Sequence, residues 1–259
     1  MPLVVAVTGA ARGIGEAIAH ELARRGYSLL LGDLDPSVVE LATALGGVGG
    51  VLDVADDSSY RGWLGLVSRV DVLVNNAGVM WVGPFDEEPA AVAERQLAVN
   101  FGGVVRGTRL VLPQMRGRKQ GLVVTVASLA SYLSPAGEST YAASKHAVIG
   151  WLRGVRTELR GSGVQVAVVL PAVVETELAL GTSSGGGPRL SPEQVARAVA
   201  DVIRRPRFET YVPGYTGLLL RLLALSPQWG KDLLYRLAVP NQTKADRAAR
   251  ADYEARRLS

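Results

Sequence analysis

The sequence predicts an α/β fold, a doubly wound parallel sheet of about seven strands with helices on both faces and a short helical C-terminal extension. Two observations support this prediction. Apolar runs of strand length alternate regularly with helical stretches, and near-continuous apolar runs are typical of parallel strands buried on both faces. A glycine-rich turn follows the first of these runs, at the sheet edge where such folds bind ligands.

The expected strands are short and apolar, and they run over Leu3–Thr8, Ser28–Asp33, Gly50–Asp53, Asp71–Asn75, Gly121–Ala127, Val164–Leu170 and Glu209–Val212. The helices expected between them are Gly13–Gly26, Pro36–Leu45, Ser58–Ser68, Pro89–Met115, Tyr141–Gly161 and Pro192–Arg205. The glycine-rich stretch Thr182–Pro188 predicts a mobile loop near the ligand-binding edge. We expect residues 1–212 to form one domain, and residues 213–259 to form an extension that is not an independent domain.

Composition excludes several kinds of site. The 259 residues include no cysteine, which excludes disulfides, thiolate metal sites and cysteine nucleophiles, and two histidines leave little for a metal cluster. The apolar run Leu3–Val7 is too short for a signal peptide or a membrane span, so we expect a cytoplasmic protein. The net charge is +4, and its basic excess lies from Arg204 onward, so we expect no nucleic-acid groove across the main domain.

The turn Thr8–Gly15, with the sequence TGAARGIG, joins the first strand to the first helix. Gly9 permits the tight turn, and Gly13 allows the backbone to approach a pyrophosphate. Gly15 lets the helix pack closely on the strand, so that phosphates would lie at the helix N-terminus. A glycine turn of this kind is weak evidence on its own, because similar turns occur without a nucleotide.

Four further motifs follow this turn in order. They are Asn75–Gly78 after the fourth strand, Asn100 on the long helix, Ser128 after the fifth strand, and Tyr141 four residues before Lys145. Together with the GxxxGxG spacing of the turn, these motifs closely resemble the short-chain dehydrogenase/reductase family over about 210 residues. The resemblance implies a Rossmann-type sheet, an NAD or NADP cofactor, and interconversion of an alcohol and its carbonyl compound.

Asn100, Ser128, Tyr141 and Lys145 are the expected catalytic residues. Tyr141 and Lys145 share one face of a predicted helix, where the ammonium group would lower the pKa of the phenol. Ser128 follows a strand end and can donate to a substrate carbonyl oxygen while Tyr141 exchanges the proton. The resemblance also implies that Lys145 contacts the nicotinamide ribose and that Asn100 holds a water that relays protons. The alternative for Asn100 is a purely structural role.

The residues expected to bind the cofactor lie in the glycine turn, at strand ends or in the catalytic pair, and they are Gly9, Arg12, Gly13, Ile14, Gly15, Asp33, Asp53, Val54, Asn76, Ala77, Gly78, Tyr141, Lys145, Pro171, Val174 and Thr176. A carboxylate at Asp33 can accept hydrogen bonds from the ribose hydroxyls and would repel the 2′-phosphate of NADP, so NAD is favoured. Arg12 supports NADP unless it points only at solvent. Asp53 and Val54 resemble an adenine-contacting pair, although Asp53 is almost as well explained as the cap of the next helix.

The segment Pro171–Thr176 resembles the family's PGxxxT motif, in which Val174 and Thr176 hold the nicotinamide carboxamide. Ala172 stands where that motif has glycine. The residues expected around the substrate are mostly apolar, and they are Met80, Trp81, Leu129, Tyr132, Leu133, Leu178 and Leu180. They favour a lipophilic alcohol or ketone, such as a steroid, a retinoid or a long-chain alcohol.

Two other functions stay open. An NADPH-dependent 3-ketoacyl thioester reductase is supported by Arg12 and opposed by Asp33, and a nucleotide-binding sensor would keep the glycine turn while losing the catalytic residues.

Residues 217–239, which begin with GLLLRLLAL, could lie on an anionic membrane surface, or pack on the main domain or a second subunit. The resemblance implies a homodimer or homotetramer that associates through the helices Pro89–Met115 and Tyr141–Gly161.

Overall fold

The computed structural model describes residues 2–185 and 187–258. Within them, seven parallel strands form one sheet in the order β3-β2-β1-β4-β5-β6-β7, which confirms the doubly wound fold. The strands are β1 (Val4–Thr8), β2 (Ser28–Asp33), β3 (Val48–Val51), β4 (Val72–Asn75), β5 (Gly121–Val126), β6 (Val164–Pro171) and β7 (Glu209–Val212). The chain reverses its direction of winding between β1 and β4, so the crevice at the carboxyl ends of the strands opens there.

The helices that connect the strands cover both faces of the sheet, and they are α1 (Gly13–Arg24), α2 (Val38–Ala44), α3 (Asp57–Leu64), α4 (Ala90–Leu97), α5 (Gly103–Gly117), α6 (Ser139–Glu158) and α7 (Pro192–Arg204). The long helix expected over Pro89–Met115 is interrupted by a π-helical turn at Ala98–Gly102. The helix after β3 begins at Asp57 because the Asp56 carboxylate accepts a hydrogen bond from the backbone of Ser59.

Alternate side chains of each strand enter different cores. In β1, Val5 and Val7 pack with α1, α2 and α7, whereas Ala6 packs with α3, α5 and α6 on the other face. All three side chains are fully buried. This two-sided burial explains why the strand sequences read as continuous apolar runs, and it fixes the strand ends as a rigid platform for the ligand-binding edge.

The C-terminal extension continues with α8 (Tyr215–Leu225), α9 (Gln228–Ala238) and α10 (Arg247–Arg257). Helix α10 folds back onto the main domain, where Arg250, Tyr253 and Leu258 are buried. The segment before it is held by Gln242, whose side-chain amide accepts a hydrogen bond from the Ser183 N–H and donates one to the Ser183 carbonyl. In contrast, α8 and α9 leave several leucines exposed.

The loop expected to be mobile is tied to this extension at Ser183, and Gly186 within the loop lies outside the described residues. Among the helices described, none combines the length and the apolar character that crossing a bilayer would require.

Candidate active site

The glycine turn between β1 and α1 has the shape of a phosphate cradle. Gly9 and Gly13 adopt positive φ angles of 65° and 55°. A Cβ atom on Gly15 would lie only 1.9 Å from the Gly9 carbonyl oxygen, so helix and strand approach more closely here than any side chain permits. The turn therefore leaves the N-terminus of α1 open to an anionic ligand.

A cavity of about 430 Å³ crosses the carboxyl edge of the sheet from the β2–β3 side to the β5–β6 side. Every residue expected from the sequence to bind the cofactor lines this cavity. Ser128 lines it too, whereas Asn100 does not. The glycine cradle, the strand-end acid Asp33 and the elongated shape together fit a dinucleotide, with its adenosine near β2 and β3.

The beginning of α6 and the end of β5 bring Ser128, Tyr141 and Lys145 together. The Ser128 hydroxyl lies close enough to Tyr141 to lower the pKa of its phenol, and it accepts a hydrogen bond from the Ala130 N–H at 3.1 Å. The Lys145 ammonium lies 5.5 Å from the centre of the Tyr141 ring, as their spacing on one helix face predicts. Both Tyr141 and Lys145 are buried, so they would meet a substrate oxygen in a site largely free of water.

The electrostatics of this group differ from the sequence-based expectation. Burial raises the pKa of Tyr141, the nearby Glu138 carboxylate raises it further, and the Ser128 hydroxyl offsets only part of this effect. Burial also lowers the pKa of Lys145 to about 8. The net lowering of the phenol pKa that was expected from Lys145 is therefore not met, because desolvation of the buried phenolate is the largest effect.

Asn100 lies at the centre of the π-helical turn and is fully buried behind the cavity. Its side-chain oxygen accepts a hydrogen bond from the Val79 N–H at 2.8 Å. Its amide nitrogen donates to the Val79 carbonyl at 2.9 Å and to the Ser144 hydroxyl at 3.1 Å. The Asn100 side chain thus fixes the chain after β4 against α6, and the π turn is the interruption of the long helix that the resemblance implies.

The part of the cavity beside the end of β2 is rich in ion pairs. The Asp33 carboxylate accepts hydrogen bonds from the backbone N–H groups of Ala11 and Asp35, both at 3.0 Å. The guanidinium of Arg12 pairs with Asp35 and, at 2.9 Å, with Glu177. The interpretation that Arg12 points only at solvent is therefore wrong, because both of its terminal nitrogens are engaged by carboxylates.

Asp53 lines the cavity just after β3, where its carboxylate is 3.3 Å from the Arg95 guanidinium. The alternative that Asp53 caps the next helix is wrong, since Asp56 makes the capping hydrogen bond. On the opposite side, Val174 forms an isolated parallel bridge with Leu190, and the Ala172 N–H donates to the Val212 carbonyl. The loop after β6 is therefore held in place although alanine replaces the usual glycine.

The apolar side chains expected around the substrate divide into two groups. Met80, Leu129, Leu133 and Leu178 line the cavity. Trp81 belongs instead to the core beneath the sheet. The remaining two, Tyr132 and Leu180, lie outside the cavity lining, with the Tyr132 hydroxyl donating to Glu209 at 2.7 Å.

Sequence reasoning missed four residues near the cavity: Glu138, Arg250, Tyr253 and Arg257. Glu138, Tyr253 and Arg257 line it directly. Arg257 of α10 lies 3.8 Å from the Asp33 carboxylate and 3.7 Å from that of Asp35. Only Glu138 had a local signal, because it immediately precedes the helix that carries Tyr141.

Comparison with known sequences places these features in context. Residues 3–185 match the sequence profile of the family described as short chain dehydrogenase. Oxidoreductase UcpA of Escherichia coli K12 is 34% identical over 207 residues, which cover 76% of this chain and 78% of UcpA. Ketoacyl reductase HetN of Nostoc sp. is 31% identical over an alignment that covers 97% of this chain and 95% of HetN.

Solved structures share the same architecture. A short chain dehydrogenase/reductase from Burkholderia phymatum in complex with NAD has a TM-score of 0.79 at 27% identity, covering 86% of this chain and 93% of its own. An alcohol dehydrogenase from the archaeon Thermococcus sibiricus complexed with 5-hydroxy-NADP has a TM-score of 0.70 at 29% identity, covering 82% and 96%. Similar structures thus carry cofactors of both the NAD and the NADP type.

Proposed function

Because this chain belongs to the short-chain dehydrogenase family and is an oxidoreductase of that family, we propose that it interconverts a lipophilic alcohol and its carbonyl compound. The observation that carries the proposal is that Ser128, Tyr141 and Lys145 line one cavity that fits a dinucleotide, with Ser128 close enough to Tyr141 to lower its pKa. Both hydroxyls can reach one substrate oxygen there, and the apolar lining suits a hydrocarbon body.

When bound, a nicotinamide cofactor supplies or accepts the hydride. In the oxidation direction, the Tyr141 oxygen accepts the proton of the substrate hydroxyl while Ser128 holds the same substrate oxygen. In the reduction direction, the Tyr141 hydroxyl donates that proton to the carbonyl oxygen. Lys145 orients Tyr141 and favours its phenolate form whenever the ammonium is charged.

We further propose NAD as the preferred cofactor, with Asp33 accepting the ribose hydroxyls. Arg12 is committed to Asp35 and Glu177, so it is a weaker candidate for a 2′-phosphate partner than its sequence position suggests. NADP remains the alternative, together with reduction of 3-ketoacyl thioesters, an activity that the name of HetN favours. The sensor reading has less support, because Asn100, Ser128, Tyr141 and Lys145 are all present.

Initial rates with NAD and with NADP test the proposal, using steroids, retinoids, long-chain alcohols and a 3-ketoacyl thioester. We expect turnover with NAD and a lipophilic alcohol, and a loss of at least about 100-fold in Tyr141→Phe. The matched control is Tyr27→Phe, because Tyr27 directly precedes β2 and therefore lies at the opposite edge of the sheet. Activity of Tyr141→Phe within a few-fold of the wild type would remove Tyr141 from the chemistry.

Helices α8 and α9 support a second proposal, a peripheral membrane contact. Leu225 and Trp229 are 85% and 72% exposed. Tyr215 and Val239, at either end of this pair of helices, line the cavity, so the apolar surface adjoins its rim. The basic C-terminal charge would favour anionic lipid. Flotation with phosphatidylserine vesicles tests this, with Leu225→Ser expected to weaken binding, and equal recovery with and without vesicles would contradict it.

We also infer association into a homodimer or homotetramer through α4, α5 and α6, on the basis of the family alone. Equilibrium sedimentation measures it directly. A monomer at all concentrations would contradict this inference and would leave the active-site proposal unaffected, since every residue of that site comes from one chain.

A further inference from the structure

No step of the proposed chemistry uses the carboxyl group of Glu138. Glu138 immediately precedes α6, three residues before Tyr141, and it lines the cavity. Only 8% of the residue is exposed. It is thus a buried titratable group within the substrate site itself.

No described residue hydrogen bonds to the Glu138 carboxyl group. The charged group that faces it from α10 is Arg250, whose guanidinium is already engaged. Its nitrogens donate to the carbonyls of Met80, Leu178 and Leu180 and to the Glu254 carboxylate. The Glu138 oxygens are not fully enclosed, so they are open to the cavity that the residue lines, where a ligand or water can supply the missing hydrogen bonds.

We propose that Glu138 binds a hydroxyl group of the substrate, so that the substrate is held at a second oxygen besides the one that reacts at Tyr141. This proposal rests on the function proposed above and narrows its substrate class to lipophilic hydroxyketones and the corresponding diols. Met80, Leu129, Leu133 and Leu178 contact the hydrocarbon body between the two oxygens.

A hydroxyl group is the partner that fits this carboxyl best. Burial raises the pKa of Glu138 to about 7, so both protonation states are populated near neutral pH. The charged and titratable groups around it are Arg250 and Tyr253 of α10 and Tyr141 of α6. A hydroxyl can donate to the carboxylate and accept from the protonated acid, whereas a ketone can only accept and an ammonium can only donate.

The experiment compares matched substrate pairs in the wild type, in Glu138→Gln and in Glu138→Leu. The parent ketones are medium-chain 2-alkanones and steroid monoketones. Each pair joins one parent ketone with one derivative that carries an additional hydroxyl group. We expect the wild type to prefer at least one hydroxylated member by about 10-fold or more in kcat/KM, mainly through KM. The preference should persist largely in Glu138→Gln, which still offers hydrogen bonds, and should fall to within about 3-fold in Glu138→Leu.

A binding measurement keeps the inference separate from the proposed function. Calorimetric titration of the NAD-loaded protein with each 2-alkanone pair gives an affinity ratio that requires no turnover, because the oxidised cofactor cannot reduce a ketone. Equal affinities for the two members of every pair, or a ratio that Glu138→Leu leaves unchanged, would overturn the role of Glu138. Tyr141-dependent turnover alongside such a result would leave the proposed function standing. Circular dichroism checks the fold of Glu138→Leu, in which a leucine replaces an unpartnered buried carboxyl.

Discussion

Replacing Arg250 by methionine tests how firmly α10 is attached to the main domain. The Arg250 side chain is fully buried, and its four hydrogen bonds are 2.7–3.0 Å long. Three of them reach carbonyls far away in the sequence, at Met80, Leu178 and Leu180. Methionine has a similar length and no donor, so Arg250→Met keeps most of the volume while removing all four bonds.

The expected cost follows from these contacts. Hydrogen bonds to charged groups contribute about 1.5–3 kcal/mol each, but removing the guanidinium also removes its own desolvation cost. Three backbone carbonyls lose their donor, at about 1–3 kcal/mol each and less where water replaces it, so we expect a loss of about 3–5 kcal/mol for Arg250→Met. If the free energy that holds α10 on the main domain is smaller than this loss, the helix detaches in Arg250→Met. The free energy of unfolding of the rest of the protein then falls only by that smaller amount.

Hydrogen exchange distinguishes these outcomes. We expect faster amide exchange in α10 and in residues 178–183, and a lower melting temperature, by about 2–4 °C for each kcal/mol felt globally. The control is Arg256→Met on the same helix, because the Arg256 side chain is 58% exposed and its pairing distance to Glu177 is 3.8 Å. Exchange in α10 of Arg250→Met that matches the wild type would refute the assigned role.

Three further outcomes are expected. Gly15→Ala should weaken NADH binding at least about 10-fold in a fluorescence titration, because the new Cβ would lie 1.9 Å from the Gly9 carbonyl oxygen; unchanged affinity would show that the turn can relax. Glu138→Gln removes a negative charge that raises the pKa of Tyr141. The pH at which the oxidation rate rises should therefore be lower in this variant than in the wild type, and a higher pH would contradict the electrostatic effect. Asn100→Leu should lower the free energy of unfolding by about 2–5 kcal/mol in a denaturant titration, because two buried backbone groups lose their partners, and a smaller loss would mean that water replaces the amide.

The sheet could be predicted closely because its strands are buried on both faces and therefore read as apolar runs. Strand β3 is the exception: it occupies Val48–Val51, two residues earlier than expected. Its sequence, VGGV, carries little local signal, and its position is set by pairing with β2, where Leu30 faces Val48 and Asp33 faces Val51. Tertiary pairing thus decided what composition could not.

The site residues that could be predicted from the sequence are those that lie within one motif or at a strand end. Tyr141, Lys145 and the glycine turn belong to this class, since helix spacing and sheet topology place them. The contacts of Arg250 and Arg257 were not predictable, because they join residues about 70 to 220 positions apart without a repeating pattern. The lack of a hydrogen-bond partner for Glu138 was not predictable either, because a sequence pattern does not indicate which contacts a side chain fails to make.

The position of α10 against the cofactor cavity links two equilibria. Arg257 of this helix lines the cavity beside Asp33, so a cofactor that contacts Arg257 there would bind with a different affinity when α10 is detached. Thermodynamic reciprocity then requires that bound cofactor favour the attached helix by the same factor by which the attached helix improves affinity. Under that coupling, the proteolytic sensitivity of α10 would change with the occupancy of the cavity.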